Sequence, residues 1–209
     1  MQTEEVQIPK KPLHTPWNMG KLIGSKPPIR TKHVWAIRTK LQINRHPRDL
    51  AMFNLAIDSK LGGCDVVRLK VDDVAPHGTT LDRATVRQKK TGHSVRFEIT
   101  EPTREAVDDY IKAKRFATWR LYFCKPSEAR TPYYASAICS AGWIAAIGLD
   151  PAFYGTHSLR RTKATLIYRR TGNLRAVQLL LGHRKIESTV RYLGIEGDDA
   201  LSIAGQVDV

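Results

Sequence analysis

Four residues in the last quarter of the chain have side chains that could act together on a phosphate diester. His157 and Arg160 stand three positions apart, which places them on one face of a helix. His183 ends a Leu-Leu-Gly-His sequence, and Tyr192 comes nine residues later. Far upstream, Lys90 begins the sequence Lys-Thr-Gly-His, which is typical of a hairpin turn. The set joins one nucleophile to groups that carry charge or move protons.

The chemistry that suits these groups is attack of a phenol on phosphorus. A tyrosine hydroxyl has a pKa of about 10, so it attacks only when positive groups stabilise its oxyanion or a base removes its proton. Arg160 can hold two phosphate oxygens with parallel N–H donors. His157 and His183 can donate to the same oxygens or carry the tyrosine proton. Lys90 can give a proton to the departing hydroxyl.

In order and spacing these residues resemble the tyrosine recombinases, also called phage integrases. The resemblance is carried by the His-x-x-Arg pair, the Leu-Leu-Gly-His sequence and the tyrosine beyond it, and it covers roughly Arg45 to the C-terminus. It implies an α+β, mainly helical catalytic domain of the DNA breaking-rejoining type, with a small antiparallel β-sheet on one edge. It also implies a 3′-phosphotyrosine intermediate, which keeps the phosphodiester energy, and a homo-oligomer, a tetramer, on paired sites in double-stranded DNA.

One position departs from the family pattern. Family members carry a second arginine in a pattern like T-G-L-R-x-x-E-L, after the first long helix. Here Leu61 and Asp65 fall on the leucine and acidic positions, but Gly62 stands at the arginine position. Loss of one such charge typically costs about 10²–10³ in rate. Lys60 and Arg68 are the nearby cations that could substitute if a helix or strand shifted.

Net charge points to the same partner. The 209 residues carry 34 Lys+Arg and 20 Asp+Glu, for a net charge of +14. Between residues 157 and 192 there are nine basic residues and one acidic residue, a net of 9 − 1 = +8. A folded domain this basic usually binds a polyanion. We therefore predict contacts to DNA by Lys89, Arg161, Lys163, Arg184 and Lys185.

Two terminal segments are expected to differ from the domain between them. Residues 1–33 hold six basic and two acidic residues and five of the eleven prolines, which predicts an extended basic arm. The catalytic domain is expected over residues 34–209 and ends in an acidic tail at 193–209, where Leu201, Ile203 and Ala204 could pack on the same or a neighbouring protomer. Many family members clamp DNA with a further helical domain, but only the arm precedes Trp35 here.

Hydrophobic spacing and glycines indicate the elements that position the candidate site. Apolar residues recur at helical spacing from Pro47 to Leu61, and Val95, Phe97 and Ile99 alternate with polar residues as in a strand. Further helices are predicted from Thr103 through Tyr110 and over Tyr134 to Ile147. Three more, at 157–170, 174–181 and 186–193, each end before a glycine.

Composition also limits the chemistry and the location. The chain has no Walker-type glycine loop and no acidic cluster suited to Mg²⁺, so we expect no cofactor, no metal and no small-molecule substrate. Its three scattered cysteines indicate a reducing compartment, and its longest uncharged stretch, residues 135–149, is too short to span a membrane. We expect a cytoplasmic, nucleoid-associated protein.

Three other functions are compatible with the sequence. The first is a DNA-binding relative that has lost cleavage and occupies sites or regulates active partners, which Gly62 favours. A topoisomerase of the tyrosine type would share much of the chemistry. A helix-turn-helix regulator built from the last helices would leave Lys90 and Tyr192 unexplained.

Overall fold

A computed structural model describes residues 26–114 and 140–195 of the chain. Within these ranges it contains a two-stranded antiparallel sheet, a short 3₁₀ turn and a set of helices, and residues 140–145 are also helical. The named elements are, in chain order, α1 (Thr31–Ile43), α2 (Pro47–Ser59), α3 (Gly63–Val66), β1 (Arg83–Arg87), β2 (Ser94–Glu98), α4 (Glu101–Ala113), α5 (Thr156–Thr171), α6 (Leu174–Leu181) and α7 (Ile186–Leu193). The predicted mainly helical α+β fold is confirmed.

Helix α2 is the centre of the main hydrophobic core. Every residue from Ala51 to Ser59 is buried, so the helix is enclosed on all sides rather than along one stripe. It packs against α1, α4 and α5 and contacts β2. Phe53 meets Trp143 edge to face, with ring centroids 5.4 Å apart. Because α2 is enclosed, its last polar residues must find partners inside the protein.

The predicted hairpin is present. Strands β1 and β2 pair antiparallel with Arg83 opposite Glu98 and Arg87 opposite Ser94, so the turn spans residues 88–93. Val95 and Phe97 are buried and alternate with exposed residues, as their spacing predicts. Lys90 is exposed in the turn.

The last three helices follow their glycines closely. Helices α5, α6 and α7 end at Gly172, Gly182 and Gly194, each with a positive φ. A second, smaller core joins them, built on Ala164, Val177 and Leu181, with Tyr168, Tyr192 and two other apolar residues packed around it. These helices therefore form one local unit that carries most of the candidate site.

The N-terminal part of the described chain differs from the expected arm. Helix α1 begins at Thr31, where an extended arm was expected to continue to residue 33. Before it, the backbone N–H of Ile29 donates to Thr162 Oγ1 at 3.0 Å, and Ile29 is buried. Residues 26–30 therefore pack on α5. The sequence signal for α1 was weak because only Val34, Ile37 and Leu41 are buried among polar neighbours.

Other expectations fall on parts of the chain that the structure does not describe. They are the arm before residue 26, the first half of the helix predicted over Tyr134 to Ile147, and the acidic tail beyond residue 195. In the described ranges, no helix combines the length and the apolar character needed to cross a membrane.

The buried carboxylate of Asp58 joins three elements. Asp58 is the second-to-last residue of α2. Its carboxylate accepts hydrogen bonds from the backbone N–H and hydroxyl of Thr100, at 2.9 and 2.7 Å, and from the Thr103 hydroxyl at 2.7 Å. Lys163 of α5 forms an ion pair with its other oxygen. Burial alone would raise the pKa of Asp58, but Lys163 and the two threonine hydroxyls outweigh it and lower that pKa.

Lys60 lies beside this carboxylate under unusual strain. It is 3% exposed and has a φ of +54°, in the left-handed region that suits glycine better than lysine. Its ammonium donates to the Asp58 carbonyl at 2.6 Å. Burial, followed by the charge of Lys163, lowers the pKa of Lys60 to about 8. The fold thus carries a lysine whose charged form is disfavoured.

We expect Asp58→Asn to lower the free energy of unfolding by roughly 3 kcal/mol, because Lys163 loses its counter-charge inside the protein. Urea unfolding at neutral pH measures the loss. The low pKa of Asp58 makes its contribution complete above the ordinary carboxyl pKa and lost as pH falls through the folded value. The exposed Asp109→Asn on α4 is the control, and an equal loss there would contradict the role of Asp58.

We expect Lys60→Met to be more stable than the native chain at pH 7, by up to about 3 kcal/mol, because the buried charge is gone. The folded pKa of about 8 lies below the ordinary 10.5, so native stability rises with pH between these values and the difference shrinks. Unfolding measured from pH 7 to 10.5 tests this. A difference that stays constant with pH would contradict it, and the exposed Lys112→Met is the control.

Candidate active site

Helix α5 supplies three of the candidate residues at its N-terminal end. It begins at Thr156, so His157 lies in its first turn and Arg160 and Arg161 follow one turn later. His157 is exposed, Arg160 is half-buried and Arg161 is 6% exposed. The burial of Arg161 separates it from the other cations predicted to contact DNA.

Arg160 links α5 to the end of α6. Its Nη2 donates to the Leu181 carbonyl at 2.9 Å, and its guanidinium carbon lies 5.6 Å from the centre of the Tyr192 ring. The carbonyl that it holds comes two residues before His183. The arginine therefore fixes the position of the His183 loop and itself lies against the Tyr192 ring.

Gly182 explains why the Leu-Leu-Gly-His sequence needs a glycine. It ends α6 with a φ of +68°, and a Cβ at this position would come 3.0 Å from Val95 Cγ2 on β2. Any larger residue would be strained in conformation and crowded by the sheet. The glycine lets the loop that carries His183 approach the hairpin that carries Lys90.

His183 and Tyr192 meet across this loop. Their rings are 5.5 Å apart between centroids and nearly perpendicular, at 81°. The Nδ1 of His183 lies 3.1 Å from Oγ1 of the fully buried Thr189, and either atom can be the donor. When Nδ1 carries the proton, Nε2 is left as the acceptor, which suits a base.

Gln178 is a positioning residue that the sequence analysis missed. Its side-chain amide donates to the backbone carbonyls of His183 and Arg184 at 3.0 and 3.1 Å, and its carbonyl accepts from Arg175 at 2.7 Å. It is 3% exposed. A buried glutamine beside Val177 and Leu181, on the apolar face of α6, is the signal that could have found it.

Tyr192 is held in a dry, positively charged environment. Its hydroxyl is buried and makes no hydrogen bond of regular geometry, although the Arg161 guanidinium is close enough to influence it. The guanidinium carbon of Arg161 lies 4.9 Å from the ring centre. Burial raises the pKa of Tyr192, and Arg160 and Arg161 offset part of that rise. The phenol is therefore protonated at neutral pH, next to two cations that favour its anion.

Both histidines are neutral at neutral pH. Burial, and then the charge of Arg160, lowers the pKa of each of them below its ordinary value of 6.5. Arg161 and Lys90 lower the pKa of His157 further, although its exposed side lets solvent screen them. A neutral imidazole can accept the proton of the tyrosine.

The Lys90 turn is attached to the domain on two sides. The backbone N–H of Lys89 donates to Asp65 Oδ1 at 3.0 Å. On the other side, Nε of Arg184 donates to Nε2 of His93 at 2.9 Å. The hairpin is thus held between α3 and the His183 loop. Asp65 and His93 position this turn, and the sequence analysis gave neither a positioning role.

The cations predicted to contact DNA differ in their exposure and in their partners within the protein. Lys89, Arg184 and Lys185 are exposed, so they remain predicted contacts. Lys163 pairs with Asp58, and its side chain is 24% exposed. Arg161 contacts Tyr192 and donates from Nη1 to the Lys26 carbonyl at 2.9 Å.

The two cations suggested as substitutes for the missing arginine are placed in different surroundings. Lys60 donates to the Asp58 carbonyl. Arg68 is exposed and follows α3 in the chain, whereas Gly62 precedes that helix. A Cβ at Gly62 would meet Asp65 Oδ2 at 3.5 Å and Cys64 Sγ at 3.9 Å, which are ordinary contacts. The backbone there is extended, with a φ of −66°. Position 62 therefore has room for a side chain.

The sequence profile of the Phage integrase family matches residues 30–196, which is most of the chain and includes every candidate residue above. The chain belongs to the phage integrase family. In the described ranges of this integrase-family chain, no group of three or more His, Cys, Asp or Glu side chains could hold a metal ion.

Curated and solved relatives of this integrase-family chain are recombinases by name. It is 28% identical over 156 residues to the "Probable integrase/recombinase YoeC" of Bacillus subtilis (strain 168), covering 75% of this chain and 82% of YoeC. Its fold matches the crystal structure of XerA recombinase with a TM-score of 0.66 at 19% identity, over 96% of this chain and 66% of XerA. It also matches the XerH site-specific recombinase, solved with its palindromic difH substrate after cleavage, with a TM-score of 0.65 at 15% identity. That match covers 88% of this chain and 53% of XerH.

We expect Arg184→Ala to loosen the Lys90 turn, because the hydrogen bond to His93 is lost. Amide hydrogen exchange at Gln88 and Gly92 reports the change, since these N–H groups close the turn at 2.8 and 2.9 Å. A bond of about 1 kcal/mol predicts roughly fivefold faster exchange. The exposed neighbour variant Lys185→Ala is the control. Equal exchange in both variants would contradict the attachment.

Proposed function

We propose that this protein is a site-specific recombinase that cuts and rejoins duplex DNA through a covalent 3′-phosphotyrosine link at Tyr192. The observation that carries the proposal is the burial of the Tyr192 hydroxyl against His183, Arg160 and Arg161. An aromatic residue with a purely structural role has no need of two guanidinium groups. A phenol that must become an anion does.

Each group has a defined part in the proposed cleavage step. The Tyr192 oxygen attacks phosphorus while the bond from phosphorus to the 5′-oxygen breaks. The phenol proton passes to a neutral histidine, His183 or His157. Arg160 stabilises charge on the non-bridging oxygens, and Lys90 gives a proton to the departing 5′-oxygen. Rejoining is the reverse reaction, in which a 5′-hydroxyl attacks the phosphotyrosine.

Charge supports double-stranded DNA as the substrate. The net charge is +14, and residues 157–192, which include the nucleophile, have a net of 9 − 1 = +8. The Tn1549 transposon integrase, which shares this fold, was solved in complex with transposon right end DNA. Because recombination between two duplexes exchanges both strands of each, we propose a homotetramer with one Tyr192 for each strand. Such a protein would reside with the nucleoid.

Gly62 favours a second candidate, a relative that binds DNA sites without cutting them. The family's second arginine is absent there, and Lys60 does not replace it because its ammonium is held at Asp58. The two candidates share the DNA partner and differ only in whether the bond to Tyr192 forms.

A nicked suicide substrate separates the two candidates. A binding site is first selected from random duplexes with the Tyr192→Phe protein, and nicked versions of it trap the covalent product. We expect the native chain to form an adduct that survives denaturing electrophoresis, and Tyr192→Phe to form none. Gly62→Arg is expected to form it faster, because position 62 has room for the side chain and the new charge stabilises the transition state.

The other outcomes are equally informative. An adduct in Gly62→Arg but none in the native chain would decide for the DNA-binding relative. No adduct in either protein on a selected site would overturn the recombinase proposal, since a Cβ at position 62 would make only ordinary contacts. An adduct that persists in Tyr192→Phe would assign the nucleophile to another residue.

A further inference from the structure

Arg161 was predicted to contact DNA, and in the structure it is 6% exposed and lies against the Tyr192 ring. We propose that Arg161 is a further catalytic residue, whose guanidinium takes over the charge stabilisation that Gly62 cannot supply. This inference rests on the proposed function. It concerns a residue outside the His-x-x-Arg pair, one position beyond Arg160 on α5.

Geometry is the first support. The guanidinium carbon of Arg161 lies 4.9 Å from the centre of the Tyr192 ring, closer than that of Arg160 at 5.6 Å. Both arginines come from the same turn of α5, so the ring of the nucleophile is flanked by two cations from one rigid element. Adjacent helical residues rarely share a target, and here α7 places the tyrosine where both can reach it.

Burial is the second support. Arg161 is 6% exposed, and arginine is almost never that buried without a specific role for its charge. Its Nη1 donates to the Lys26 carbonyl, so the backbone of the N-terminal segment fixes the plane of the guanidinium. A guanidinium carries several N–H donors, so one nitrogen can hold this carbonyl while another serves the phenol oxygen. A cation this enclosed acts on its neighbours through a low dielectric, which strengthens its effect.

Charge at the nucleophile is the third support. Burial raises the pKa of the Tyr192 hydroxyl, and the charges of Arg160 and Arg161 oppose that rise. As the hydroxyl loses its proton to a histidine and its oxygen bonds to phosphorus, negative charge develops beside Arg161. The arginine itself neither gains nor loses a proton. It stabilises the anion before the bond forms and the phosphate oxygens as it forms.

The proposal explains how the site functions with Gly62. The family's second arginine approaches from the start of α3, where this chain has a glycine at which a Cβ would make only ordinary contacts. Arg161 brings the same charge from α5 instead. Two guanidinium groups are thus present at the nucleophile, although both now come from one helix.

The test replaces Arg161 by Gln and by Lys and measures two properties on the full chain. The first is the pKa of Tyr192, from the pH dependence of its ring signal in ¹³C-tyrosine-labelled protein. The second is the rate of adduct formation on the nicked substrate at saturating protein. Arg170→Gln is the matched control, since it removes the same charge from the exposed last turn of the same helix. Thermal melts followed by circular dichroism check that each variant folds.

We expect Arg161→Gln to raise the pKa of Tyr192 and to slow adduct formation by about 10²–10³-fold relative to Arg170→Gln. Arg161→Lys keeps the charge but loses the planar fork, so it is expected to leave the pKa near its native value and to slow the reaction by an intermediate factor. In the Gly62→Arg background the loss from Arg161→Gln is expected to shrink by about tenfold or more, because a second guanidinium is again supplied.

Three outcomes would overturn the proposal. One is an unchanged Tyr192 pKa in folded Arg161→Gln, and another is a cleavage rate equal to that of Arg170→Gln. The third is an equal loss in the native and Gly62→Arg backgrounds, which would mean that the two positions do not exchange roles. In each case cleavage by the native chain would leave the recombinase proposal intact. Absence of cleavage in both backgrounds would instead remove the proposed function and the catalytic role of Arg161 together.

Discussion

The geometry of the site depends on one buried carboxylate, that of Asp58. It accepts hydrogen bonds from the start of α4 and pairs with Lys163 one turn beyond Arg160 on α5. Because the Asp58 side chain is only 2% exposed, its charge must be compensated where it lies. The pair therefore fixes where α5 lies against α2, and with it the residues that α5 brings to Tyr192. Removing either partner leaves an uncompensated charge, so we expect loss of the pair to destabilise both the core around α2 and the position of α5.

Opposing effects act on the Tyr192 hydroxyl. Burial keeps the Tyr192 phenol protonated and out of contact with water, and it also strengthens the field of the two arginines beside it. The neutral histidines provide an acceptor for the proton without adding charge to a site that is already strongly positive. Around them, Gln178 and Thr189 hold the His183 loop, and Arg160 holds the end of α6. Little rearrangement of the protein is needed when charge develops at the phenol oxygen.

The features that depend on local sequence rules could be predicted from the sequence. The glycines after α5, α6 and α7, the alternating strand and the turn at Lys90 are set by short-range conformational preferences, and all are present. The sequence does not indicate the ion pair of Asp58 and Lys163, which are 105 positions apart, or the hydrogen bond that Arg184 donates to His93. The burial of Arg161 and Gln178 could not be predicted either. Spacing shows which residues share a helix face, but not which face is covered by the rest of the chain.

The absence of a close contact for a Cβ at Gly62 has a consequence for how the gene can change. Every glycine codon of the GGN set becomes an arginine codon by exchange of its first base for C, and a Cβ at position 62 would make only ordinary contacts. Loss and recovery of an arginine at position 62 are therefore neighbouring steps in sequence space. Under the proposed function, a gene that carries Gly62 needs a single point mutation to regain the second arginine, without rebuilding any part of the fold.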